Sequence, residues 1–100
     1  MRINLLEETL KILRDHNKTP NDVEWVGDNC LNVYCSWEEF EKQAARIEYD
    51  NGYGVAHINP HMVVVGEDWW LERAEYDGAE WWEFKTPLIK PDNKVHQLPI

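Results

Sequence analysis

The sequence predicts an α+β protein in which two helices pack on one face of an antiparallel sheet, in the order helix, hairpin, helix, three-strand meander. Two segments place apolar residues at three- and four-residue steps, which is typical of amphipathic helices. The other segments are rich in β-branched and aromatic residues and are separated by turn residues, which is typical of strands. With 100 residues, 43% of them apolar and 29% charged, the chain has the composition of one small globular domain.

The first helix is predicted from an apolar stripe of about three turns near the start of the chain. Its members are Ile3, Leu6, Leu10 and Leu13, with Leu5 and Ile12 beside them. Residues 16–18 end this helix. The segment Thr19-Pro20-Asn21-Asp22 then predicts one more short helical turn, because a capping residue precedes a proline and an acid.

A hairpin and a second helix are predicted next. Residues 23–26 and 31–34 are expected to be its strands, because the Gly27-Asp28-Asn29 segment between them favours a turn. Ser36-Trp37-Glu38-Glu39 has the pattern of a capping box, so the helix is expected to begin after Ser36. Its apolar face comprises Trp37, Phe40, Ala44 and Ile47. The helix is expected to continue until residues 50–52, where Gly52 can take a positive φ.

The remaining chain predicts a meander and a tail. Residues 53–61 are expected to be irregular, and strands are predicted at 62–65, 69–76 and 80–86, with Asp77-Gly78 as a tight turn. Residues 1–87 are therefore expected to form a single α+β domain. Residues 88–100 are expected to form an extended, proline-containing tail.

The charge of the chain excludes some classes of partner. Acids outnumber bases 19 to 10, for a net charge of −9, which argues against direct binding to nucleic acid or to an anionic membrane. Glu7 and Glu8 precede any apolar run, and the longest aliphatic run is residues 62–65. Neither a signal peptide nor a membrane helix is predicted, so we expect a cytoplasmic protein with reduced cysteines.

Two adjacent tryptophan pairs are the strongest functional signal in the sequence. Neighbouring residues of a strand point to opposite faces, so we expect Trp69 and Trp82 in the core and Trp70 and Trp81 outside. The outer rings could be covered by a helix or by the tail, form an ordinary cross-strand pair, or form a binding surface. The candidate binding residues are Trp70, Trp81, Glu72, Glu75, Tyr76, Glu80 and Glu83.

Catalytic and metal chemistry find little support in the residue pattern. The single serine, Ser36, is assigned to a helix cap, and no glycine belongs to a phosphate-binding loop. Four side chains of zinc-ligand type are Cys30, Cys35, His57 and His61. The proline between the two histidines disfavours the helix that a His-x3-His site needs, and the cysteine spacing points the two thiols apart on a strand. We therefore expect no metal and no cofactor.

Part of the chain resembles a group of short acidic proteins of Gram-positive bacteria, their phages and their integrative elements. Their C-terminal hairpin is similar to Trp69–Pro87, WWLERAEYDGAEWWEFKTP. The segments Thr19–Gly27 and Ser36–Phe40 fit the same pattern, so the resemblance covers residues 1–87. It implies no catalytic or binding residue. It implies a genomic setting in which small acidic proteins often bind host or defence proteins.

Three hypotheses of function follow from these patterns. The first is a non-enzymatic binding or regulatory protein whose acidic, tryptophan-bearing sheet face contacts a protein partner, in particular a basic one. The second is a mimic of nucleic-acid charge that inhibits a DNA- or RNA-binding protein. Its phosphate-like acids would be Glu38, Glu39, Glu41, Glu67, Asp68, Glu72 and Glu75, unless they only form a solvated face. A small enzyme or zinc-binding protein ranks last, and a homodimer stays open.

Overall fold

The computed structural model describes residues 2–100, and this part of the chain contains two α-helices and seven strands. The α+β class and the antiparallel pairing predicted from the sequence are confirmed. In chain order the elements are β1 (Arg2–Asn4), α1 (Leu5–Asp15), a 3-10 turn (Pro20–Asp22), β2 (Trp25–Asp28), β3 (Val33–Cys35), α2 (Trp37–Ala44), β4 (Glu48–Asp50), β5 (Met62–Val65), β6 (Trp70–Tyr76) and β7 (Ala79–Lys85).

The strands form two sheets. The predicted hairpin and the predicted meander join into one five-stranded sheet of order β3-β2-β5-β6-β7, because β5 pairs with β2. The strands β1 and β4 form a separate two-stranded sheet that the sequence analysis did not predict. Each has only three residues, and a strand of that length is too short to show an alternating pattern.

Helix α1 begins at a side-chain cap, since the Asn4 side chain accepts a hydrogen bond from the Glu7 backbone N–H at 3.1 Å. Its buried row is Leu5, Thr9 and Leu13. The predicted stripe included Leu13 and had Leu5 beside it, but Leu6 and Leu10 are only partly buried and Thr9 was not predicted to be buried. Thr9 is buried because its hydroxyl donates to the Leu5 carbonyl at 2.7 Å and accepts from the Trp82 indole at 2.9 Å. A satisfied hydroxyl costs little to bury.

Helix α2 begins with the predicted capping box, in which the Ser36 side chain accepts from the Glu39 backbone N–H. It ends at Ala44, so the prediction that it continues through Ile47 to residues 50–52 is wrong. Two backbone carbonyls that follow α2 accept hydrogen bonds from the start of α1. Asn4 Nδ2 donates to Ala45 O at 3.0 Å, and Leu5 N donates to Ile47 O at 2.9 Å. These contacts redirect the chain into β4.

The core is formed by buried side chains from both helices and from the five-stranded sheet. Thr9 of α1 reaches Trp82 of β7, and α2 lies against β2. Trp69 and Trp82 are 3% and 4% exposed, which confirms the predicted inward orientation of these two rings. Other buried members of the core are Leu5, Leu13, Val26, Trp37, Phe40, Ala44, Tyr49, Ile58, Val64 and Leu71.

The chain after β7 contributes no helix or strand. Residues 86–100 are irregular, and every side chain in this range is exposed. The radius of gyration is 15.9 Å, against about 13 Å for a compact domain of 100 residues. The principal-axis extents of 53, 32 and 28 Å show that the molecule is elongated.

Candidate protein-interaction site

The face of the five-stranded sheet that points away from the buried Val26, Val64 and Leu71 carries rows of side chains set by the strand register. We call it the outer face. One row comprises Trp25, Val65, Trp70 and Lys85, and the next comprises Gly27, Val63, Glu72 and Glu83. Neighbouring strands are about 4.8 Å apart, so side chains within a row lie within reach of one another. The two rows create a surface that is both aromatic and acidic.

Two indoles bracket a pair of carboxylates on this face. Glu72 and Glu83 are direct cross-strand partners on β6 and β7. Trp70 Nε1 donates to Glu72 Oε1 at 2.7 Å, and Trp81 Nε1 donates to Glu83 Oε2 at 3.3 Å. Because β6 and β7 run antiparallel, the two rings approach the carboxylate pair from opposite ends. We call Trp70, Glu72, Trp81 and Glu83 the indole–carboxylate patch.

The patch has an excess of negative charge. Lys85 Nζ lies 3.3 Å from Glu83 Oε1, whereas Glu72 has no ion-pair partner among residues 2–100. Like charges directly opposite each other on neighbouring strands repel. The two indole N–H donors reduce this repulsion without neutralising it. A second cation placed beside this pair would therefore be attracted by both carboxylates.

Five of the seven predicted binding residues lie on the outer face. They are Trp70, Glu72, Tyr76, Trp81 and Glu83. Trp70 and Trp81 are partly buried, as expected for large rings on a sheet surface, and Tyr76 is 77% exposed at the end of β6. Glu75 is exposed as well, but strand alternation places it on the opposite side of β6.

The prediction that Glu80 contributes to the binding surface is wrong. Its side chain is 3% exposed, and the carboxylate accepts from the backbone N–H groups of His57 at 2.7 Å and Ile58 at 3.1 Å. Arg73 Nη2 also donates to it at 3.0 Å. A buried carboxylate is tolerated when a buried cation and backbone donors compensate it, and strand alternation gives no sign of such a partner.

Arg73 is the centre of a buried polar cluster between the sheet and α1. Its guanidinium lies 3.3 Å from Glu8 Oε1, donates to Tyr49 Oη at 2.9 Å and stacks 4.7 Å from the Trp82 ring centroid. Tyr49 in turn donates to Glu8 at 2.5 Å. Burial, and then the Glu8 carboxylate, raise the pKa of Tyr49 well above its usual range.

This buried cluster is suited to stabilising the fold. The adjacent cavity, lined by Arg73 and Glu80 among others, measures about 20 Å³. Such a volume holds about one water molecule, whereas ligand sites usually measure several hundred cubic ångströms. The cluster joins α1, β4 and the 53–61 segment to the sheet and thereby supports the strands that carry the outer face.

The four side chains of zinc-ligand type do not form a centre. Cys30 is exposed, Cys35 is partly buried, and both are free thiols. Burial, and then the nearby Glu39, raise the pKa of the Cys35 thiol, which disfavours the thiolate that a metal or an electrophile requires. Within the described residues, no three His, Cys, Asp or Glu side chains are grouped in a way that could hold a metal ion.

Trp25 is an outer-face residue that the sequence analysis did not select. It faces the same way as Trp70 in the row described above, and its ring lies against Gly27, where a Cβ would come within 3.1 Å of Trp25 Cζ3. The alternation of Trp25 and Gly27 with the buried Val26 and Asp28 is the signal that could have identified it. The outer face therefore presents three tryptophans.

A second concave feature lies on the helix side of the sheet. It is an apolar groove of about 260 Å³ between β3 and α2. Leu5, Val26, Cys35, Phe40, Ala44 and Met62 are among its lining residues. Asp28 also borders it, but this carboxylate accepts from Asn59 Nδ2 and from the backbone N–H groups of Leu31 and Cys30, which hold its pKa below the usual range.

No helix within residues 2–100 combines the length and the apolar character needed to cross a membrane. Comparison with known proteins adds no relative: no family model, no curated protein and no solved structure matches the chain.

Proposed function

We propose that this chain is a non-enzymatic protein-binding module that receives an extended, basic segment of a partner on its outer face. The observation that carries the proposal is the indole–carboxylate patch, in which Trp70 and Trp81 bracket the cross-strand pair Glu72 and Glu83. Indoles and carboxylates at this spacing suit a guanidinium or ammonium group, which gains from cation–π contact and from charge pairing together.

Charge supports a basic protein as the partner. The chain carries a net charge of −9, and within residues 2–100 no cationic side chain pairs with Glu72 on the outer face. A nucleic acid would bring further negative charge to this surface, whereas an arginine or lysine side chain would neutralise it. The proposal includes a cytoplasmic location, since two cysteines that are not joined in a disulfide are usual in a reducing compartment.

The acids proposed for nucleic-acid mimicry are divided between two sides of the molecule. Glu38, Glu39 and Glu41 lie on α2, while Glu72 lies on the outer face and Glu67 and Asp68 lie in the turn before β6. A phosphate mimic needs a row of charges on one surface. The indole–carboxylate patch, by contrast, is assembled on two adjacent strands, and we therefore favour the protein-binding function.

The proposal is tested by titrating the protein with an arginine-rich peptide on a Gly-Ser backbone and following tryptophan emission. The same peptide with glutamine in place of arginine serves as the uncharged probe. We expect binding of the arginine peptide only, and a loss of affinity of about tenfold for Trp81→Ala, as for a hot-spot side chain. Glu72→Gln should weaken binding in the same direction.

Two variants control for side-chain loss and for charge. Tyr53→Ala removes an aromatic ring that is 78% exposed outside the outer face, and Glu38→Gln makes the same charge change on α2. Both should bind like the unmodified protein. Affinity that is unaffected by Trp81→Ala and Glu72→Gln would contradict the proposal. Binding that is insensitive to Trp81→Ala but disappears at about 0.5 M salt would instead support charge mimicry.

A further inference from the structure

The C-terminal tail, residues 88–100, has the features of a ligand for the outer face. Its aliphatic side chains are fully or largely exposed: Leu88 (101%), Ile89 (88%), Val95 (56%), Leu98 (73%) and Ile100 (111%). Scattered apolar residues are normal on a protein surface, but five in one short exposed segment form a concentration that protein contacts usually cover. Every side chain of residues 86–100 is exposed in the single chain, so this concentration of apolar side chains is left uncovered.

The tail and the outer face have opposite charge. The tail contains Lys90 and Lys94 with one acid, Asp92, and is net +1. The other 18 acids and 8 bases give the rest of the chain a net charge of −10. The tail is thus the basic segment of an acidic protein, and it combines lysines with aliphatic side chains. The outer face offers carboxylates together with indole and valine surfaces.

The prolines restrict the tail to extended conformations before it binds. Pro91 and Pro99 lie within it, and Pro87 immediately precedes it. Proline fixes φ and favours polyproline II geometry, which aromatic surfaces recognise at low cost in conformational entropy. In that geometry 13 residues span about 40 Å at about 3.1 Å per residue. Five strands at about 4.8 Å spacing are about 19 Å from first to last, so the tail is long enough to cross the face.

The position of Pro87 favours binding of the tail to the outer face of a second copy of the chain over binding to the outer face of its own copy. The residue before a proline is restricted to extended conformations, so Thr86 leaves β7 at the Trp70 end of the patch and continues away from Glu83 and Trp81. Trp81 lies four residues back from Lys85, the end of the strand. The tail would have to reverse at once to reach it within the same chain, whereas the tail of a second copy can approach without a reversal.

We propose that the C-terminal tail of one copy binds across the indole–carboxylate patch of another, so that two copies exchange tails in a twofold dimer. Leu88, Ile89 and Lys90 supply the apolar and cationic contacts, and Trp70, Glu72 and Trp81 receive them. The inference rests on the proposed function, since it names a partner for the same site. A closed exchange engages both tails and both faces and leaves no site free.

Two measurements on the full chain test this inference. The first is sedimentation over a wide range of protein concentration. We expect a monomer–dimer equilibrium that shifts by about tenfold or more toward monomer in a tail variant carrying Leu88→Ser, Ile89→Ser and Lys90→Ser, and equally in Trp81→Ala. Lys11→Ser, an exposed lysine on α1, is the matched control and should dimerise normally.

The second measurement titrates the tail variant with a synthetic peptide of residues 88–100. All six tryptophans lie between residues 25 and 82, so the emission change reports on the folded part of the chain alone. We expect the peptide to bind the tail variant and to bind at least about tenfold more weakly when Trp81→Ala is added.

Each other outcome overturns the inference. A full chain that is monomeric at every concentration while the peptide binds would show that the tail docks on its own chain. A dimer that survives the tail substitutions would use another surface. A peptide whose binding ignores Trp81→Ala would dock elsewhere, for example in the groove between β3 and α2. Failure of the peptide with continued binding of arginine-rich probes would leave the proposed function intact.

Discussion

At the scale of single residues, one guanidinium connects elements that are distant in the chain. Arg73 of β6 contacts Glu8 of α1, Tyr49 of β4 and Glu80 of β7. Two acids around one base leave the cluster with excess negative charge, and the Glu80 carboxylate is stabilised further by two backbone N–H donors. Buried pairs of this kind contribute little over an apolar replacement, but removing one partner is costly.

We therefore expect Glu80→Ala to destabilise the protein by about 3–5 kcal/mol, because it leaves the backbone N–H groups of His57 and Ile58 without their acceptor and Arg73 with Glu8 as its one remaining carboxylate partner. Urea unfolding followed by tryptophan emission measures the change. Glu75→Ala is the matched control, since Glu75 is the exposed cross-strand partner of Glu80, and it should alter the free energy of unfolding by at most about 0.5 kcal/mol. Equal losses in the two variants would contradict the assignment.

The raised pKa of Tyr49 predicts that the free energy of unfolding changes with pH in the alkaline range. Its pKa is raised in the folded state, first by burial and then by Glu8, so its contribution to stability is fully present below the ordinary tyrosine pKa of about 10. The contribution is lost as pH rises above that value toward the folded-state pKa. The difference in unfolding free energy between the unmodified protein and Tyr49→Phe should stay constant from about pH 7 to 9 and shrink above about pH 10. A difference that grows with pH would contradict this.

At the scale of elements, the sequence predicted what local patterns encode. Residue alternation placed Trp69 and Trp82 inside and Trp70 outside, and the capping box at Ser36 marked the start of α2. The end of α2 was missed because contacts from the distant start of α1 determine it. Strand β4 was missed for the same reason, since it pairs with β1, whose residues lie about 46 positions away in the sequence.

The turn between β6 and β7 supplies a prediction at this scale. Gly78 has a φ of +88°, and Asp77 before it has a φ of +50°, as a type I′ turn requires. Gly78→Ala should cost about 1 kcal/mol, because alanine is strained at positive φ. An added Cβ would meet its nearest atom at 3.4 Å, so steric clash adds little.

Thermal unfolding of Gly78→Ala and Gly52→Ala compares this turn with a less demanding position. A Cβ at Gly52 would meet only the Asp50 carboxylate, at 3.9 Å, so Gly52→Ala should unfold near the temperature of the unmodified protein. An equal loss of stability in both variants would show that backbone conformation at residue 78 is not the cause.

At the scale of the whole molecule, the uneven distribution of charge separates two parts of the chain. The basic, aliphatic C-terminal tail is exposed, and the acidic remainder carries the outer face. Composition alone revealed this division. It did not reveal that Trp25 joins the outer face or that Glu80 leaves it, because both depend on which strands become neighbours and on the buried base beside them.

The hydrogen bonds that join Glu80 to residues 51–58 have a consequence for native-state fluctuations. Its carboxylate holds the amides of His57 and Ile58, and its own backbone N–H donates to the Asn51 carbonyl at 2.9 Å. Amide protons that are hydrogen-bonded to one residue exchange with solvent when local opening breaks the hydrogen bonds to that residue. We therefore expect residues 51–58 and the first residues of β7 to open together, so that the protection factors of their amides rise and fall in parallel.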